Sequence, residues 1–384
     1  MTGLILTLNA GSSSIKFSVY DGDARLFRGQ VERIGPNGRL TVKDDQDFEH
    51  PVTAPDLSDH GSAVQAILTN ILPLLDGRKI SAVGHRVVHG GMRFDAPAVL
   101  ADETIAYLET LTPFAPLHQP HNLAGIYAAR AAFGDVPQIA CFDTAFHRHH
   151  PFVNDTFAIP REYYDQGVRR YGFHGLSYDY ITSEIAKQSP TLAQGRVVIA
   201  HLGNGASMCA VRGGRSIAST MGFSALDGLP MGTRCGQIDA GVVLYLMQQE
   251  NMTADQISDM LYKNSGLLGM SGVSNDMRTL ERSDQIGAKQ AIDYFIFRIQ
   301  RELGAMAAVL NGIDALIFCG GIGENSTLIR ERVCSGMEWM GIELDHTRNA
   351  ENTPRISAEL SRVTVMTIPT NEEVVIARAV RNLA

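Results

Sequence analysis

The sequence predicts an α/β protein of two similar lobes with a ligand held between them, and three observations carry that expectation. First, an apolar run fit for a buried strand empties three times into a polar, glycine-rich turn: Leu4–Leu8 into Asn9–Lys16, Val197–Ala200 into His201–Ser207, and Ala315–Cys319 into Gly320–Asn325. Second, the first two turns are followed by the same succession of strand, tight glycine turn and strand, set about half a chain length apart. Third, 384 residues with 45% hydrophobic content suit about two domains with sizeable cores.

Taken in order, Phe17–Tyr20 reads as the second strand of a hairpin closed at Asp21-Gly22-Asp23, and Met208–Val211 as its copy, closed at Gly213-Gly214. Ile292, Phe295, Ile296, Ile299, Leu303, Met306, Ala307 and Leu310 recur at helical spacing and stop at Asn311-Gly312, a C-cap signal, so this segment is a long core-facing helix. Ser326 can open a further helix after the third glycine turn. Near the C-terminus Thr370-Asn-Glu-Glu373 reads as a capping box, with Thr370 as N-cap, Glu373 at N3 and Glu372 in the first helical turn. Asp143 to Pro151 and Pro369 are the expected crossings between lobes.

A formal net charge of −8 argues against nucleic acid or an acidic membrane surface as partner. No apolar run reaches the ~18 residues of a membrane span, and no basic leader precedes the first strand, so a cytoplasmic protein is expected. Five cysteines without C-x-x-C spacing (Cys141, Cys209, Cys235, Cys319, Cys334) fit reduced buried thiols.

Bare glycine N–H groups and hydroxyls let an anion approach closely, so three such turns predict a phosphate cradle, with Ser12, Ser14 and Lys16 as contacts in the first. Arg86 lies within Gly84-His-Arg-Val-Val-His-Gly-Gly91 and Arg234 within Met231-Gly-Thr-Arg-Cys-Gly236. A guanidinium fork suits carboxylate or phosphoryl oxygens, and the flanking glycines imply close packing around it. His85 and His89 read as packing or supporting residues, and the run His147-Arg-His149-His150 as a surface or hinge segment.

Nine motifs together closely resemble the acetate kinase family from residue 5 to about 380: Asn9–Lys16, Gly84–Gly91, Ala115-Pro-Leu-His118-Gln-Pro, Phe142–His147, Tyr171-Gly-Phe-His174-Gly, His201–Gly205, Met231–Gly236, Gly321–Asn325 and Pro369-Thr-Asn-Glu372-Glu. The resemblance implies two duplicated ribonuclease-H-like lobes of the actin-like ATPase type with an active-site cleft between them. It implies an N-terminal lobe of residues 1–148 plus 373–384 on the acyl and phosphate side, and a nucleotide-binding lobe of residues 149–372. Mg2+ or Mn2+ is then expected at Asn9 and Glu372. ATP or ADP is expected at His201, Leu202, Gly203, Asn204 and Gly205, at Asp276, Met277 and Arg278, and at Gly321, Ile322, Gly323, Glu324 and Asn325. Arg86 resembles the acetate-binding arginine, Arg234 and His174 the stabilisers of the transferring phosphoryl group, and Asp143 the catalytic aspartate. Val88, Leu117 and Phe173 resemble the acyl pocket. Ala225 departs from it, standing where the family usually has proline. Acetate, acetyl phosphate and a second copy of the chain are the implied partners.

An acid acceptor is already ionised at neutral pH and needs no general base, so Asp143 is expected to act electrostatically, by orienting an arginine or a metal and its water. A sugar acceptor would need a base and a polar wall; a non-catalytic ATP-dependent clamp would need no second anionic site.

Overall fold

The computed structural model describes residues 3–11, 14–53 and 56–384, and the chain divides into two compact units, Met1–Arg148 with Asn371–Ala384, and His149–Thr370. In the first, β1 (Leu4–Ala10), β2 (Ser14–Asp21), β3 (Ala24–Glu32), β4 (Arg39–Asp44) and β5 (Glu49–His50) form an antiparallel succession, and β6 (Ile80–Val87), β7 (Ala98–Val99) and β8 (Gln138–Phe142) complete an eight-stranded sheet. Its order is β5-β4-β3-β2-β1-β6-β8-β7, with β1, β6 and β8 mutually parallel.

The strands β1 and β8 are buried almost throughout because helices cover the sheet, which is why they read as continuous apolar runs and not as alternation. Helices His60–Ile71 and Gln119–Phe133 supply Val64, Ile67 and Ala129 to a core with Leu4, Leu6, Leu8 and Phe17. The C-terminal helix Glu372–Leu383 packs on β1, β6 and β8. It does so over Gly84, where a Cβ would stand 2.7 Å from Val380 Cγ2 and closer still to Ile376. The glycines beside Arg86 therefore admit this helix and, at Gly90, the ring of Phe142; they do not pack on the guanidinium as the sequence led us to expect.

The second unit repeats the pattern. β9 (Arg196–Leu202), β10 (Ala206–Arg212) and β11 (Arg215–Ser219) are antiparallel, and β12 (Ala315–Cys319) and β13 (Thr364–Thr367) continue in parallel from β9, giving the order β11-β10-β9-β12-β13. Strand for strand this matches β3-β2-β1-β6-β8, so the duplication seen in the sequence is a duplication of the ribonuclease-H-like sheet. Both hairpins close with two-residue loops whose leading glycine has positive φ (Gly22 at 59°, Gly213 at 55°), the backbone that the twist of paired strands requires.

The long helix spans Ile286–Leu310, buries all eight predicted apolar positions and stops where Asn311 turns left-handed at φ 57°. Ser326 caps the helix Thr327–Cys334 through Ile329 N–H. Two local readings change. Gly320–Asn325 is a helical turn, closed by the Glu324 side chain on Gly320 N–H. The C-terminal helix is capped by Asn371, which accepts from Val374 N–H, because Thr370 is committed elsewhere: its N–H donates to Glu324 and its hydroxyl meets Ser177. Glu372 does lie in the first turn.

None of the five cysteines is joined in a disulfide among the described residues. Burial pushes the thiols of Cys209 and Cys334 up to about 12, so both stay protonated and inert. Among the described residues no helix is long and apolar enough to cross a membrane.

Candidate active site

In the first unit the site is built around Arg86, near the end of β6. Its Nε and Nη2 donate to the two Asp143 oxygens at 2.9 and 2.6 Å, a bidentate pair in which the carboxylate is only 1% exposed. Asp143 directly follows β8, and its N–H bonds Val87 O, so neighbouring parallel strands set the pair. Arg86 Nη1 reaches Asn9 Oδ1 at 3.4 Å and Glu372 Oε2 at 3.6 Å. Burial works against the guanidinium's charge, but Asp143 and then Glu372 outweigh it, so its pKa is raised and the cation is secure.

Asn9 and Glu372, the two expected metal positions, thus gather about one cationic nitrogen. They are hard oxygen donors of the kind that Mg2+ prefers. Among the described residues no group of three or more His, Cys, Asp or Glu side chains gathers as a metal site. Lys16 is exposed on β2, opposite Asn9 in the register of β1 and β2. Ser14 begins β2 and its carbonyl accepts from Gly11 N–H at 2.8 Å. Ser12 lies outside the described residues. Val88 is buried, its N–H donating to Asn122 Oδ1, and Leu117 is half-buried. Asn122, which no sequence signal marked, also donates to Ala10 O, so one buried amide ties the end of β1 to Val88.

His85 and His89 are buried supports. Burial lowers the His85 imidazole to about 4 against the opposing hydrogen bond to Gln138 at 2.8 Å, and burial with Arg148 lowers His89 to about 3. Both are neutral at physiological pH. The run 147–150 is less superficial than expected: His147 is buried and His150 bonds Ser216 at 2.7 Å.

In the second unit, three segments far apart in sequence meet around a pocket of about 840 Å3 lined by Gly203 and Asn204, by Asp276, Met277 and Arg278, and by Gly321, Ile322 and Asn325. That volume matches small-molecule and cofactor sites. Ser326, read in the sequence as a helix opener, also lines it, as do Asn275, Glu281 and Arg282, which went unnoticed because each is an ordinary polar residue until the fold assembles it. Asp276 caps the short helix Met277–Glu281 and holds Arg278 bidentately at 3.1 and 2.6 Å. His201, Leu202, Gly205, Gly323 and Glu324, also expected at the nucleotide, are not among the residues that line this pocket. The Glu324 carboxylate is occupied by the N–H groups of Gly320 and Thr370, and Leu202 and Gly323 are buried.

Beside the pocket, the rings of His174 and His201 stack with centroids 4.4 Å apart. A carbon placed on Gly205 would stand 3.1 Å from both His174 Nε2 and Arg234 Nη2, so these two nitrogens face the same turn. Arg234 is steadied by the carbonyl of Ala225, which accepts from its Nη1 at 2.7 Å. Phe173, just before His174, is buried.

The repeated α/β scaffold and a pocket of small-molecule size lined by glycine turns suit a phosphotransferase. The chain belongs to the acetokinase family, whose model matches residues 4–378. The acetate kinase of Methylocella silvestris is 56% identical, covering 98% of this chain and 97% of that one, and that of Rhodopseudomonas palustris is 50% identical over 100% and 99%. Among solved structures, the acetate kinase of Porphyromonas gingivalis superposes with a TM-score of 0.90 at 37% identity, covering 99% of each chain. A propionate kinase from Francisella tularensis superposes with 0.93 at 35% identity, covering 100% of each.

Proposed function

We propose that this chain catalyses the reversible transfer of the ATP γ-phosphoryl group to acetate, giving acetyl phosphate and ADP by direct in-line attack. The observation that carries this reading is the bidentate hold of Arg86 on Asp143. A carboxylate with both oxygens engaged by a guanidinium is a poor proton acceptor, which suits an acceptor that arrives ionised and disfavours a hydroxyl acceptor.

In this reading the acetate carboxylate binds Arg86, and its attacking oxygen forms a bond to the γ-phosphorus as the bond to the ADP oxygen breaks. No proton moves. Arg234 and the Nε2 edge of His174 donate to the equatorial oxygens, whose charge they meet without reorganising. Val88, Leu117, Phe173 and Ala225 contact the acyl group. The acyl and phosphate side belongs to residues 1–148 and the C-terminal helix, with Ser12, Ser14 and Lys16 as phosphate contacts, and the nucleotide to residues from 149 on; the expected boundary at 372/373 moves to Thr370/Asn371, since Asn371 and Glu372 fall in the first unit. Asn9 and Glu372 hold Mg2+, which when bound neutralises phosphate charge.

We also read the protein as a cytoplasmic homodimer. Helix Ala240–Gln248 buries none of its nine residues, and Leu244 and Tyr245 are more than half exposed, an apolar surface that a second copy would cover.

The test is ATP-dependent phosphorylation of acetate, propionate, butyrate and glycerol by the purified protein, read as ADP release and acyl phosphate trapped by hydroxylamine. Acetate should give the highest kcat/KM. A preference for glycerol overturns the proposal.

A further inference from the structure

Two hydroxyl relays converge on the stacked histidines. His174 Nδ1 lies 2.9 Å from Ser207 Oγ, which lies 2.5 Å from the hydroxyl of Tyr178. His201 Nδ1 lies 2.8 Å from Ser177 Oγ, which lies 2.8 Å from the hydroxyl of Thr370. Ser177 and Tyr178 are neighbours on helix Gly175–Gln188, Ser207 lies on β10, and Ser177, Ser207 and Tyr178 are all fully buried. Each imidazole is therefore gripped at Nδ1 by a serine that is itself gripped by a second hydroxyl. The opposite edges face the glycine turn: carbons placed on Gly205 and Gly203 would stand 3.1 Å from His174 Nε2 and 4.0 Å from His201 Nε2.

We propose that Tyr178–Ser207 and Thr370–Ser177 are positioning relays that fix His174 and His201 as neutral imidazoles with the proton on Nε2, presenting two parallel N–H donors to the phosphoryl oxygens. Proton accounting supports this direction. Tyr178 sits in an apolar core where burial holds its hydroxyl protonated, so that proton is available to Ser207. Ser207 then accepts from the Tyr178 O–H and donates its own O–H as a hydrogen bond to an unprotonated Nδ1, which leaves Nε2 as the ring's N–H. Ser177, backed by the Thr370 hydroxyl and with Cys319 Sγ 3.9 Å from the ring, donates a hydrogen bond to His201 Nδ1 in the same way. Two imidazolium rings stacked at 4.4 Å would repel, whereas two neutral rings stack without that cost. The inference rests on the reading of His174 as a phosphoryl stabiliser.

The test pairs kinetics with a spectroscopic signature in the full-length protein. Nitrogen-15 NMR of labelled histidine should show His174 with a protonated Nε2 and an unprotonated, hydrogen-bonded Nδ1. Ser207→Ala should lose that Nδ1 signature and lower kcat about tenfold, the worth of one well-placed hydrogen bond, with KM for ATP and acetate held within about twofold. Tyr178→Phe, which keeps the ring and the packing, should fall between the two. A wild-type His174 protonated on Nδ1 with a bare Nε2, or an unchanged kcat in Ser207→Ala, overturns the relay and leaves His174 in its assigned place. Full kcat in His174→Ala overturns that assignment, and the relay's role with it.

Discussion

Replacing Asp143 by asparagine separates an aspartate that holds an arginine from one that takes a proton. The native carboxylate receives Nε at 2.9 Å and Nη2 at 2.6 Å. An amide retains one acceptor and turns N–H donors toward a guanidinium that has only donors. At least one charge-assisted hydrogen bond is lost, worth about 1.5–3 kcal/mol, and expressed wholly through a misplaced Arg86 this is roughly 10- to 150-fold in kcat. Arg86 is 23% exposed, so water screens part of the pair and the lower half of that range is expected. Because acetate remains ionised from about pH 6 to about pH 9, the deficit should be the same at every pH in that interval. The assay is acetyl phosphate formation across that interval, with kcat and acetate KM measured separately and urea midpoints compared to confirm folding. Activity of Asp143→Asn that climbs toward wild type as pH rises would show base chemistry at this position and refute the reasoning.

Acid should weaken the first unit through its buried histidines. Unfolded imidazoles protonate below about pH 6.5, whereas His85 stays neutral down to about 4 and His89 down to about 3, so the unfolded chain binds more protons and stability falls as pH drops through that window. For His85 the loss is on the order of 3 kcal/mol; urea midpoints against pH should slope less in His85→Asn, and equal slopes would rule this out. Glu372→Ala should raise the Mg2+ concentration for half-maximal rate severalfold with little change in saturated kcat, since Asn9 and water still serve the ion; an unaltered Mg2+ titration removes Glu372 from the metal site. Ala225→Pro should widen the preference for acetate over propionate, within the roughly 10- to 200-fold that one methylene commands in an apolar pocket, and Val88→Ala should narrow it. Because the Ala225 carbonyl also holds Arg234, the ratio of kcat/KM values, and not kcat alone, is the quantity to compare; an unmoved ratio places Ala225 outside the acyl pocket.

What was legible in the chain follows from the range of the forces involved. Strands β1, β9 and β12, their glycine turns and the helix ending at Asn311 are written locally, in apolar runs and in residues that tolerate left-handed backbone. Local rules failed where two local signals competed. Thr370 and Asn371 are both good caps, and the choice fell to Asn371 because Ser177 and Glu324, distant in sequence, had already engaged Thr370. The same long-range selection built the site. Asp276 and Arg278 look like a surface ion pair, and they become pocket lining only because Gly203 and Gly321 arrive from β9 and β12. Ser207 was marked only as the end of the second glycine-rich turn, and Tyr178 carried no signal, since a phenol on a buried helix face reads as packing. Yet a buried hydroxyl must find a partner, and here Tyr178 and Ser207 meet each other while Ser207 also meets the Nδ1 of His174. The need to satisfy buried polar groups, which no spacing rule expresses, is thus what aims the imidazole at its glycine turn.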